Sequence, residues 1–209
     1  MKNLKLMTAG ALMLAAVSVS TAQEASNTKS MAPSFGIKGG VNFATVTGDF
    51  DSPDSRTSFH VGALAEFPLA DIFSIQVEAL YSGQGFKADF EGPEGDKAEV
   101  QLDYINVPVL AKVYIVPGLS LEAGPQFSFK VRDKFEINPG SSDGTVNLDH
   151  SSLSAKDFEF GVAGGLTFQT EIGLFATGRY NYGLTEVFEN NNVGKVNNSV
   201  FQIGVGYKF

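Results

Sequence analysis

In eight segments between residue 35 and residue 209 the chain places apolar side chains at every second position. The last strand-like segment shows this most clearly. Phe201, Ile203, Val205, Tyr207 and Phe209 fall on one parity, and Gln202, Gly204, Gly206 and Lys208 on the other. Successive side chains on a strand point to opposite faces, so this segment has one wholly apolar face and one small or polar face. No helix has that period. A chain built this way must fold into a sheet whose two faces meet different environments.

The same alternation recurs upstream. Phe35, Ile37, Val41 and Phe43 oppose Gly36, Lys38, Gly40 and Asn42. Phe59, Val61, Ala63, Ala65 and Phe67 oppose His60, Gly62, Leu64 and Glu66. Phe73, Ile75, Val77, Ala79 and Tyr81 oppose Ser74, Gln76, Glu78, Leu80 and Ser82. Leu119, Leu121, Ala123, Phe127, Phe129 and Val131 oppose Ser120, Glu122, Gln126, Ser128, Lys130 and Arg132. Phe158, Phe160, Val162, Leu166 and Phe168 oppose Glu159, Gly161, Ala163, Thr167 and Gln169. Leu174, Ala176, Tyr180 and Tyr182 oppose Thr177, Arg179 and Asn181, with Phe175 an exception on the polar face. The segment from Val100 to Tyr114 starts in one phase at Leu102 and Tyr104 and continues in the other through Ile105, Val107, Val109, Ala111 and Val113. A one-residue slip of this kind is what a β-bulge produces, and Pro108, which cannot donate to a ladder, is expected beside it.

These eight segments each approach the length a tilted membrane strand needs. Soluble barrels and sandwiches alternate too, but with a charged outer face. Here the apolar face carries aromatics at the segment ends (Phe35, Phe43, Phe59, Phe67, Phe73, Tyr81) and small or aliphatic residues between them, as in an aromatic girdle flanking a lipid-facing band. The opposite face is rich in Gly, which suits a crowded lumen. The connections run to about 11, 5, 12, 5, 24, 4 and 13 residues, so long and short alternate, as in outer-membrane barrels. The long ones are residues 47–57, 88–99, 133–156 and 185–197; the short ones centre on Leu69–Asp71, Pro117–Gly118 and Thr170–Gly173. The expected fold is all-β: an antiparallel up-and-down transmembrane barrel of eight strands, residues 34–209, with both termini in the periplasm. The mean hydropathy of +0.02 averages the two faces and the acidic connections, and so conceals the membrane.

Residues 1–22 read as a cleavable signal peptide. Lys2 and Lys5 precede the apolar run Leu6–Val19, and Ser20–Ala22 offers a small-residue cleavage site. Residues 23–33 read as a flexible leader. Cleavage leaves 13 Lys and Arg against 23 Asp and Glu, a net charge of −10. That acidity argues against a nucleic-acid partner. The absence of Cys excludes a disulfide scaffold and thiolate metal sites.

Three stretches carry a family resemblance: Leu102–Lys112 (LDYINVPVLAK), Glu122–Gln126 (EAGPQ) and Gly178–Leu184 (GRYNYGL). Together with the terminal Tyr207–Lys208–Phe209, their order and spacing resemble the outer-membrane β-barrel family common in Bacteroidota, called porin-family or PorT-like. The resemblance implies an outer-membrane location. It also implies biogenesis through the barrel-assembly machinery, which would read Phe201, Ile203, Val205, Tyr207 and Phe209. It brings no catalytic motif. Members range from structural barrels to a component of protein secretion.

By parity, Lys38, His60, Glu66, Gln76, Glu78, Lys112, Glu122, Lys130, Arg132, Glu159, Arg179 and Lys208 face the lumen. An eight-stranded barrel is wide enough only to be filled by side chains, so buried charges there should pair across it. Lys38, Glu66, Glu78, Lys112, Glu122 and Arg179 are the candidate network, as a plug or as the gate of a narrow path for ions or solutes. Ser58 and His60 share a face at the spacing a hydroxyl–imidazole pair needs, but both point inward and no acid stands beside them; His150 is the only other imidazole, so no catalysis is expected. Asp49, Asp51 and Asp54, then Asp89, Glu91, Glu94 and Asp96, with Asp149 and Asp157, make the long connections acidic. None matches a calcium loop, so neither a metal nor any other cofactor is expected. Three roles remain open: a monomeric structural or surface-interaction barrel whose loops meet a ligand or protein, a narrow porin-like channel, and a secretion-machinery subunit.

Overall fold

A computed structural model describes residues 32–48, 54–89, 97–138, 146–148, 156–185 and 196–209. Among them are nine strands: β1 (Ser34–Gly48), β2 (Asp54–Ala70), β3 (Phe73–Asp89), β4 (Lys97–Val116), β5 (Leu119–Asn138), β6 (Val146–Leu148), β7 (Phe158–Gln169), β8 (Leu174–Gly183) and β9 (Val196–Lys208). All pairings are antiparallel. Eight strands run in the order β4-β3-β2-β1-β9-β8-β7-β5, and the β4–β5 pairing closes them into a barrel. The three-residue β6 pairs only with the far end of β5, at Phe135–Ile137. It was not expected from the sequence.

Closure removes the sheet edges that would otherwise leave backbone groups unpaired in lipid. The two-residue turn Pro117–Gly118 and the turn at residues 170–173 use glycines at φ +83° and +88°, which L side chains rarely adopt. These turns, Asp71–Ile72 and the outer ends of β1 and β9 mark one end of the barrel. The long connections leave the other end.

Burial follows parity. Ile37, Phe59, Val61, Leu121, Leu166, Phe201, Ile203, Val205 and Tyr207 are exposed on the outside, while Lys38, Asn42, His60, Glu66, Glu78 and Gln202 are buried inside. The fold is thus inverted relative to a soluble protein, with its apolar surface outward and its polar residues at the centre. From Phe35 to Phe43 the outer face of β1 spans about 27 Å along the strand, or roughly 20 Å across a membrane at a 40° tilt. Aromatic pairs toward the long-connection end, Phe43–Phe201, Phe59–Tyr81 and Phe129–Phe158, have ring centroids 5.4–6.5 Å apart. They form one rim of that band.

Three expectations need correction. The strands run further than the alternation did: β4 and β5 are 20 residues each, and β2 begins at Asp54 inside an expected loop. Beyond lipid both faces meet water, so the apolar alternation ends although the ladder continues. Second, β4 keeps one phase. Its register with β3 is the same on both sides of Pro108, from Val77↔Val109 to Leu80↔Asn106 and Gly83↔Asp103. Leu102 and Tyr104 are therefore lumen residues, both fully buried, and Pro108 marks no bulge. Third, the bulge lies in β5. Asp103 pairs with Arg132 and Tyr104 with Lys130, leaving Val131 as the extra residue. The phase flips there, so Arg132 is exposed on the outside rather than turned into the lumen.

Candidate functional site

The inner face converges on Arg179. This β8 residue is 1% exposed and reaches Glu78 on β3, the strand diametrically across the barrel. Its Nη1 and Nη2 donate to the two Glu78 carboxylate oxygens at 2.7 Å each. Its Nε and Nη2 also donate to Glu122 Oε1 on β5, at 2.9 and 2.6 Å. The planar guanidinium suits this double role, a fork on both oxygens of Glu78 and a two-donor grip on one oxygen of Glu122. Lys38 Nζ on β1 approaches Glu78 at 3.2 Å. Thr167 completes the shell of Glu122, donating to its Oε2 at 3.0 Å. Five strands, β1, β3, β5, β7 and β8, are thus tied together across the lumen.

A second ion cluster sits nearer the short-turn end. Glu66 accepts from Lys112 Nζ at 3.1 Å, from Ser74 Oγ at 2.6 Å, and from Lys208 Nζ and the Tyr114 hydroxyl. Gln76 joins the two clusters. Its carbonyl accepts from Lys112 at 3.1 Å and its amide donates to Glu78 at 2.5 Å. All six candidate residues, Lys38, Glu66, Glu78, Lys112, Glu122 and Arg179, therefore belong to one connected network. Four cations, counting Lys208, oppose three carboxylates within it.

Several members were missed or misplaced in the sequence. Tyr114 shares parity with Lys112 and was readable from that. Phe175 was noted as out of place on the polar face; its ring lies against Gly206, where a Cβ would collide with it, and Lys208 Nζ sits 5.4 Å from its centroid. Lys130 is half-buried and pairs with Asp157 at 3.4 Å, not with the network.

Toward the long-connection end the contacts become neutral. Asn42 Nδ2 donates to the carbonyls of Gly83 (2.7 Å) and Phe59 (3.1 Å), which turns its Oδ1 toward His60 Nδ1 at 2.7 Å and Gln202 Nε2 at 2.9 Å. The imidazole lies against Gly40 and Gly204. Ser58 Oγ donates to the Gly83 carbonyl at 2.5 Å, so Ser58 and His60 engage different partners and not each other. Tyr104 donates its hydroxyl to Glu159. Of the acidic side chains expected in the connections, Asp157 is exposed; Asp49, Asp51, Glu91, Glu94, Asp96, Asp149 and also His150 lie outside the described residues.

Every charge at the level of Arg179 is engaged by an opposite charge from another strand, and the side chains meet across the barrel axis.

The shape is shared with solved structures. Ail of Yersinia pestis, in complex with the heparin analogue sucrose octasulfate, superposes with a TM-score of 0.52 at 15% identity, over 86% of this chain and 100% of that one. Neisserial surface protein A superposes with a TM-score of 0.51 at 16% identity, over 85% and 99%. At such identities the likeness concerns the fold. A search of curated proteins gave no match. A family model described as outer membrane protein beta-barrel domain matches residues 21–189. With a closed antiparallel barrel, apolar outside and charged inside, the chain belongs to the outer membrane protein beta-barrel domain family and is an outer-membrane β-barrel protein.

Proposed function

We propose that the protein is a sealed, monomeric, non-enzymatic barrel of the outer membrane, acting structurally or through its long connections at the cell surface. The supporting observation is the Arg179 bridge, which joins Glu78 and Glu122 across the lumen at 2.6–2.9 Å. In this reading the network is a plug. The short turns and both termini face the periplasm after removal of residues 1–22, and the long connections face outward. The apolar face of β9, Phe201 to Phe209, serves recognition by the barrel-assembly machinery. Specificity resides in the connections, where loops usually carry it. Their acidic residues would repel a polyanion such as the sulfated sugar in the Ail complex, so the ligand class proposed here is cationic or neutral.

Planar-bilayer recording of the refolded protein tests this. Silence of the wild type is the expected result. Steady ion-selective currents would replace the plug with the second reading, a narrow channel gated at Arg179. The stretches Leu102–Lys112, Glu122–Gln126 and Gly178–Leu184 support the finer PorT-like assignment. That assignment would make the barrel a secretion subunit and predicts recovery of a defined partner complex from native outer membrane.

A further inference from the structure

The lumen beyond the Arg179 network contains a second, differently built site. Glu159 on β7 is 4% exposed and faces inward. Glu66, Glu78 and Glu122 each have at least one cation within 3.2 Å. Glu159 has no cation in direct contact among the described residues; it accepts hydrogen bonds from the Tyr104 hydroxyl and the Asn198 side-chain amide, with Lys130 and Lys156 farther off. Lys130, from the neighbouring strand, pairs with Asp157 and acts on Glu159 only from farther away. This buried carboxylate is thus offset only by neutral hydrogen bonds and by lysines at a distance, with no cation against it.

Beside it lies a small cavity lined by Gln84, Gln126, Ser128, Glu159, Asn181 and Asn198, with room for about one water-sized particle. Both side-chain polar atoms of Asn181, 3% exposed, lack any partner, as does Oδ1 of Asn198, 6% exposed. Asn106, the register partner of Ser128 on β4, is likewise unpartnered at both atoms. Buried amides are nearly always hydrogen-bonded, so the idle atoms of Asn181 and Asn198 on one cavity point to a guest. No Lys or Arg lines the cavity.

We propose that this chamber binds a single monovalent cation of sodium or potassium size. Beside Phe160, Gly161, Gly183 and Val200, the lining presents side-chain oxygens of Glu159, Asn181, Asn198, Gln126 and Ser128, and oxygen suits a hard cation. A single carboxylate balances one charge, whereas a divalent ion of this kind is normally held by several carboxylates. The bound ion completes the neutralisation of Glu159, with the amide oxygens of Asn181 and Asn198 supplying the rest of its shell. Gly165, the register partner of Arg179, lies six residues along β7 from Glu159, so the site is separate from the sealing network. It does not depend on whether the lumen conducts.

Thallous ion, a potassium mimic, provides the probe. It is titrated by thallium NMR into the refolded full chain in detergent, with choline as the only other cation. One saturable site is expected, displaced by potassium and weakened about tenfold or more by Glu159→Gln and by Asn181→Ala, the latter keeping the charge. Heat-modifiable gel migration confirms that each variant is folded, and Asn181→Ala carries the test if Glu159→Gln is not. Absence of saturable binding to the wild type would overturn the proposal, as would binding unchanged in both variants. So would an infrared carboxylic-acid band in potassium buffer that disappears in Glu159→Gln, because Glu159 would then be neutralised by a proton.

Discussion

Replacing Arg179 with Leu is expected to lower the unfolding free energy of the lipid-embedded barrel by about 3–5 kcal/mol, the usual cost of removing one partner from a buried ion pair. Glu78 and Glu122 would be left facing each other in the lumen, with only Lys38 near Glu78. Urea unfolding in vesicles, read by the loss of heat-modifiable migration, measures the change. The loss arises from uncompensated charge rather than from a cavity. Combining Arg179→Leu with Glu78→Gln and Glu122→Gln should therefore recover much of it. Arg179→Lys should be intermediate, because an ammonium keeps the charge but cannot grip both oxygens of Glu78 and also reach Glu122. Arg179→Leu should also admit current where the wild type is silent, since the one side chain that spans from β8 to β3 is gone.

A charge placed on the opposite face should cost nearly as much for a different reason. Val205 is 66% exposed on β9, midway between the aromatic residues Phe201 and Phe209 and so near the middle of the apolar band. Val205→Arg is expected to destabilise the barrel by about 2–4 kcal/mol in bilayers, the depth-dependent cost of a cation on a lipid-facing strand. In a soluble protein the same change at so exposed a position would alter stability by less than about 0.5 kcal/mol. The pair of measurements, one in vesicles and one on a position nearer the strand end, separates a membrane effect from a local one. Equal, small effects at both depths would contradict the assignment of this face to lipid.

The faces of the barrel were legible in the sequence because lipid and lumen impose opposite chemistry at a period of two. Wherever the ladder stayed regular, as in β1, β7 and β9, parity placed each side chain correctly. It failed where the backbone departs from that period. The extra residue Val131 turned Arg132 outward, and nothing in the run Lys130–Val131–Arg132 marks the insertion. It failed in the other direction at Leu102 and Tyr104, where apolar side chains face the lumen and were mistaken for a change of phase. Tyr104 is there because its hydroxyl reaches Glu159, a contact between residues 55 apart that no local pattern reveals. The pairing within the network had the same limit. Parity brought Glu78, Glu122 and Arg179 to one interior, but the barrel register decides that Arg179 reaches both carboxylates while Glu66 takes Lys112 and Lys208.

The central claim is that one face of each strand meets lipid and the other a filled, dry lumen. The chain contains no cysteine, so single-cysteine spin labels can be introduced one at a time along β9 without background. Electron paramagnetic resonance of labels at positions 201 to 207 in bilayers, with oxygen and a water-soluble nickel complex as relaxants, reads both faces together. The expected result is oxygen accessibility that peaks at Phe201, Ile203, Val205 and Tyr207, with the even positions poorly accessible to either relaxant. Strong nickel accessibility at Gln202 and Gly204 would contradict the sealed lumen, and a profile without a period of two would contradict the barrel itself.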